Sequence, residues 1–193
     1  MPTPPTWRDR GRRLAAAVEP RVLATLLAIF GCTWLFVALA DEVGEGETHG
    51  LDTALLMALR NPADPSDPLG PGWIEEFGRD VTALGSLGIL AFLTAATAGY
   101  LLLRGKRGST ALLLASVGGG QALSLLAKHG FDRPRPDLVP HGMMTYTASF
   151  PSGHSMMAAV TYLTLAALVA RVQPTPALKA YVLALAILVT VAV

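Results

Sequence analysis

Four stretches of this chain, residues 22–40, 81–103, 110–127 and 156–172, run for 17 to 23 residues with one charged side chain among them, Arg171. A helix that is apolar on every side has no face to offer water, whereas in lipid it satisfies its own backbone polar groups and needs no solvated face. About 20 such residues cross a hydrocarbon core about 30 Å thick. With 52% apolar and 15% charged residues in 193, the chain is too apolar for an ordinary water-soluble domain. It reads as an all-α membrane protein, a bundle of transmembrane helices. The cations are scattered among membrane-flanking segments and the net charge is +1, which argues against a nucleic-acid partner. Cys32 is the only cysteine, so an intrachain disulfide is excluded.

The charges between the runs set an orientation. Residues 1–21 carry Arg8, Arg10, Arg12, Arg13 and Arg21 against Asp9 and Glu19, and read as a basic cytoplasmic N-terminus. The run at 22–40 ends in Ala38-Leu39-Ala40, which fits a signal-peptidase site. Its length and the bulky Trp34 and Phe36 near that site favour an uncleaved first span. Residues 41–80 hold ten acidic side chains against Arg60 and Arg79, the bias of an outer loop. These acids lack the ligand spacing of a calcium loop and read as a solvated face. Within the loop, Leu51, Leu55, Ala58 and Leu59 recur at helical spacing and predict a short interfacial helix. Residues 61–72 carry too many prolines for a helix and are expected to be extended. Trp73 and Phe77 suit the headgroup layer.

The second run, 81–103, is followed by Arg104, Lys106 and Arg107, a basic turn on the cytoplasmic side. The third, 110–127, contains Gly118-Gly119-Gly120, read as a close helix contact. Arg171 and Lys179 bracket a second cytoplasmic turn. The fifth run, 180–193, has fourteen residues, about 21 Å of helix, and is expected to be an incomplete span. Residues 22–193 are thus expected to form one incomplete membrane domain with five spans present.

Between the third and fourth runs lies Lys128-His-Gly-Phe-Asp-Arg-Pro-Arg-Pro, and then Phe150-Pro-Ser-Gly-His-Ser. Lys128, Arg133 and Arg135 make a candidate phosphate cradle, lysine as a point charge and arginine as a forked donor. Ser152 and Gly153 stand just before a helix, whose first N–H groups favour an anion. His154 carries an imidazole able to protonate a leaving oxygen. Taken singly, each cation most often snorkels to headgroups and each histidine is most often structural. The conjunction shifts the balance: a given string such as Pro-Ser-Gly-His arises by chance in ~1 in 1,000 chains of this length.

Lys128, six residues, Arg135-Pro136, and then Pro151-Ser152-Gly153-His154 resemble the first two signature motifs of the type 2 phosphatidic acid phosphatase superfamily, over roughly residues 50–193. The resemblance implies a six-helix transmembrane fold with its active site at the outer interface, acting without metal or other cofactor. Lys128, Arg133, Arg135, Ser152 and Gly153 would bind the substrate phosphate, and His154 would be the general acid. The substrate would be a lipid phosphate or pyrophosphate. The family's third motif supplies the nucleophilic histidine that becomes phosphorylated, and after His154 this sequence has no His, Asp or Glu. His49, His129 and His141 are the remaining histidines, and none stands in that context. The expectation is a membrane phosphatase of a bacterial inner membrane, site outward, whose 193 residues lack the attacking group. The alternative is a non-catalytic protein that binds phospholipid headgroups or a partner through the same cations. A transporter is disfavoured by the lack of an internal repeat or a mid-span charge.

Overall fold

Each apolar run lies in helix, one of them with a break. The computed structural model describes residues 7–46, 48–131 and 150–193, which form two compact units, Met1–Ala54 and Leu55–Val193. In chain order the elements are α1 (Trp7–Glu45), α2 (His49–Ala58), β1 (Arg60–Asn61), β2 (Asp64–Pro68), α3 (Gly72–Ala83), α4 (Leu87–Leu103), α5 (Arg107–Phe131), α6 (Gly153–Ala170) and α7 (Pro176–Ala192). The protein is therefore an all-helical membrane fold, and the one small sheet among the described residues is a surface hairpin.

Residues Val22–Glu45 of α1, together with α5 and α6, are long and apolar enough to cross a membrane. Helices α3 and α4, bent by 44°, make a fourth crossing when taken as one broken span. Against the five spans expected, α7 is a shorter apolar helix of 17 residues. Large apolar side chains point outward: Phe92 is 71% exposed and Leu103 91%. Such a surface is tolerable where acyl chains cover it.

Three boundaries differ from the sequence expectation, each for a local reason. The run at 81–103 is not one helix. Its first three residues finish α3, and the chain turns through Leu84-Gly85-Ser86, where Ser86 caps α4 by accepting from Ile89 N–H at 3.5 Å. The third run continues through Lys128 to Phe131, so that lysine lies in the last turn of α5 instead of ending it. The last helix starts four residues earlier than the apolar run, at Pro176, with Thr175 Oγ1 accepting from Leu178 N–H at 3.3 Å. Proline at the first helical position after a threonine cap is a strong start signal.

The proline-rich segment forms an antiparallel hairpin, Arg60 opposite Pro68 and Asn61 opposite Asp64. Asn61 Oδ1 accepts from Ala63 N–H at 3.1 Å, and Asp64 Oδ1 accepts from Ser66 N–H at 3.0 Å and Ser66 Oγ at 2.6 Å. These bonds replace ladder donors that proline lacks. The Ser66 hydroxyl, and after it the Ser66 N–H, also favours the ionised Asp64 and holds its carboxyl below the ordinary range.

Helix α6 is the hub of the second unit, packing against α5, α7 and α4. Small side chains allow it: Ala158 and Thr161 are fully buried, and Ala166 and Ala170 nearly so. Helix α5 packs tightly on α6 at Gly120, where a Cβ would stand 2.9 Å from both Val160 methyls. Of the three consecutive glycines read as a helix contact, Gly120 makes it; Gly118 and Gly119 have open space. At the far end of α4, Gly105 takes φ +68° and closes a Schellman turn, with Lys106 N–H to Leu101 O at 2.8 Å and Gly105 N–H to Leu102 O at 2.9 Å.

Candidate functional site

Antiparallel packing of α5 on α6 brings the last turn of α5 to the first residue of α6. Ser124 and Lys128, one turn apart on α5, share the face that meets Gly153. A Cβ placed on Gly153 would stand 3.4 Å from Lys128 Cε, 3.8 Å from Nζ and 3.9 Å from Ser124 Oγ. The ammonium thus lies against the start of α6, where glycine leaves room for it. Ser124 is 3% exposed and Lys128 half-buried.

Ser152 caps α6. Its Oγ accepts from Ser155 N–H at 3.3 Å and lies 3.1 Å from Ser155 Oγ. The hydroxyl expected to face an anion is therefore turned into the first helical turn. That leaves the N–H groups of Gly153 and His154, which have no partner among the described residues, to point out of the helix end. The positive end of the helix dipole and the Lys128 ammonium converge on one place. Phe131 and Phe150 flank the intervening segment and meet edge to face, centroids 5.3 Å apart at 80°, which holds the end of α5 beside Pro151 and Ser152. Arg133, Arg135 and His141 lie outside the described residues. His129, next to Lys128, is exposed, and His49 opens α2.

His154 is half-buried in the first turn of α6, and its neighbour is the break between α3 and α4. A Cβ on Gly85 would stand 3.2 Å from both Cβ and the carbonyl oxygen of His154, and would collide with the Val193 side chain. Two turns along α6, Tyr162 donates its hydroxyl to Leu84 O at 2.9 Å. The turn at 84–86 is therefore tied to α6 at two points and forms a wall beside the histidine. Sequence reading missed Ser124, Gly85 and Tyr162. Ser124 was visible as the residue one turn before Lys128, and Gly85-Ser86 as a helix stop and start inside an apolar run. Nothing in the sequence pairs Tyr162 with Leu84, 78 positions apart.

Among the described residues no group of three or more His, Cys, Asp or Glu side chains is arranged to hold a metal ion. Among the described residues this end presents one ammonium, two helix-end N–H groups and one imidazole. Such a set has the chemistry to hold an oxyanion with an imidazole beside it.

Residues 109–193 match the family model described as the PAP2 superfamily. Among solved structures, the chain is similar to the first transmembrane PAP2-type phosphatidylglycerolphosphate phosphatase from Bacillus subtilis. The TM-score is 0.68 at 26% identity, covering 82% of this chain and 75% of that one. None of the curated proteins compared with the chain matches it. The family match over residues 109–193 and the shared transmembrane fold agree with the Lys128 and Pro151–His154 motifs, and together they support placing the chain with the type 2 phosphatidic acid phosphatase superfamily.

Proposed function

We propose that the Lys128–His154 end of the bundle holds the phosphate of a lipid phosphate or pyrophosphate. Lys128, the Gly153 and His154 N–H groups, and Arg133 and Arg135 bind its oxygens, and His154 protonates the leaving oxygen. The observation that carries this reading is the approach of the Lys128 ammonium to Gly153 at the start of α6. Cations and oriented N–H groups spread the charge of a transferring phosphoryl group without needing a metal. The relative is a phosphatidylglycerolphosphate phosphatase, so a glycerophospholipid bearing a terminal phosphate is the first substrate to test. The basic N-terminus and acidic first loop support a cytoplasmic N-terminus and a site on the outer face of a bacterial inner membrane.

In this mechanism a histidine nitrogen attacks phosphorus, the P–O bond to the lipid breaks, the leaving oxygen takes a proton from His154, and water then frees the phosphate from the phosphohistidine. None of His49, His129 and His141 is assigned the attack, so on this reading the residues named here contribute binding and proton donation. Phosphate release from phosphatidic acid and phosphatidylglycerol phosphate in mixed micelles, with the purified 193-residue protein, tests this. Saturable lipid binding with background release is expected. Release at a rate typical of enzymes, about 1–1,000 per second, and lost in His154→Ala, would show that another residue attacks.

A further inference from the structure

The opposite end of the same helices carries a second cationic pocket. It has a volume of about 730 Å³ and lies between the end of α4, the start of α5 and the end of α6, with Arg104, Lys106 and Arg171 among its lining residues. Tyr100, Thr97 and Ser109 add hydroxyl groups, and leucine, valine and alanine side chains supply the remaining wall. His154 and Arg171 are 17 residues apart on and just past α6, roughly 26 Å at helical rise, so this pocket is separate from the Lys128 end.

Two observations identify the charge and the nature of the occupant. First, the elements that line the pocket are without acid: from Val81 onward the sequence has two carboxylates, Asp132 and Asp137, both in the segment joining the other ends of α5 and α6. No ion-pair partner for Arg104, Lys106 or Arg171 occurs among the described residues. Three cations line one pocket with nothing on their own helices to neutralise them, which suits an anion. Second, Arg171 and Leu168 also line an apolar groove of about 650 Å³ along α5 and α6. That groove extends from Leu112 to Leu123 on α5, roughly 16 Å along the helix and close to half of a hydrocarbon core of about 30 Å. A cationic pocket that shares Arg171 and Leu168 with an apolar groove one leaflet long suits a molecule with an anionic head and an acyl tail. A free phosphate would make no use of the groove.

We infer that Arg104, Lys106 and Arg171 bind the phosphate headgroup of an anionic phospholipid in the leaflet opposite the Lys128–His154 end, with an acyl chain lying along the α5–α6 groove. Basic pockets between membrane helices serve this purpose generally, each cation near the surface strengthening binding about fivefold. The pocket holds its lipid without changing it: among the described residues lining it there is no histidine, cysteine or carboxylate.

The test is binding of a fluorescent phosphatidylglycerol to the detergent-purified 193-residue protein carrying Lys128→Gln, which weakens the other end. Saturable binding is expected, competed by unlabelled phosphatidylglycerol and not by phosphatidylcholine or 10 mM inorganic phosphate. Adding Arg104→Gln and Arg171→Gln should weaken it about 25-fold, while Arg104→Lys with Arg171→Lys should keep most of it. Lys106→Gln alone changes an exposed side chain, so it gives an independent reading if the double variant does not fold, with about fivefold weakening expected. Unchanged affinity in the glutamine variants, equal competition by phosphatidylcholine, or full competition by inorganic phosphate would each overturn the assignment.

Discussion

The two ends of the α4–α6 bundle are both cationic and are built differently. At one end the Lys128 ammonium lies against the glycine that starts α6, a capped helix dipole points at the same place, and His154 stands beside it. At the other, Arg104, Lys106 and Arg171 line a pocket that shares Leu168 and Arg171 with an apolar groove and has no histidine, cysteine or carboxylate among its described lining residues. On the proposed reading, the difference separates holding a phosphate from transforming it. Cations alone recognise the anion, and a proton donor positioned beside the bound oxygen is the further requirement for chemistry.

The contrast can be broken from either side. The largest effect is expected for Gly85→Ala, whose methyl must displace Val193 and press on His154. A stability loss of about 1–3 kcal/mol should accompany weakened lipid-phosphate binding at the Lys128 end, with phosphatidylglycerol binding at the other end retained. Thermal unfolding and the two binding assays check this together. Next is Gly105→Ala, which puts a side chain at φ +68° and should cost about 1–2 kcal/mol. It shifts the turn carrying Arg104 and Lys106, so the loss should fall on the phosphatidylglycerol site and spare the other. Tyr162→Phe removes the 2.9 Å bond to Leu84 O and should cost about 0.5–1.5 kcal/mol, read as a lower unfolding temperature.

The smallest effect lies outside both ends. Asp64 is held below the ordinary carboxyl range first by the Ser66 hydroxyl and then by the Ser66 N–H. Its contribution to hairpin order is present above the unfolded carboxyl value and is lost as pH falls through the lowered folded value. In Ser66→Ala, an NMR titration should show the Asp64 midpoint moving up toward the ordinary value. An unmoved midpoint would mean that the hydroxyl bond is absent.

What the sequence made legible was local or compositional. Apolar runs gave the helices because their length and lack of charge leave few alternatives. The conjunction of Lys128 with Pro151–His154 gave one end of the bundle because both pieces flank a single segment. What stayed hidden depends on packing between distant positions. Tyr162 reaches Leu84, Gly85 abuts His154, and Arg171 joins Arg104 and Lys106 across 65 residues. In the sequence the basic turn at 104–107 is a topology signal, and in three dimensions Arg104 and Lys106 line a pocket. The stop and start at Leu84–Ser86 was written in the sequence as a glycine and a serine, and was overridden by the apolar residues around them.

The most direct measurement is the dissociation constant of a short-chain phosphatidic acid, by calorimetry in neutral detergent, for the 193-residue protein and two variants. Lys128→Gln should weaken binding by about 10- to 100-fold, as expected for loss of a charge-assisted contact, while Arg104→Gln with Arg171→Gln should leave this high-affinity phase within about twofold. Equal affinity in Lys128→Gln and the unaltered protein would contradict the assignment of the phosphate to the start of α6.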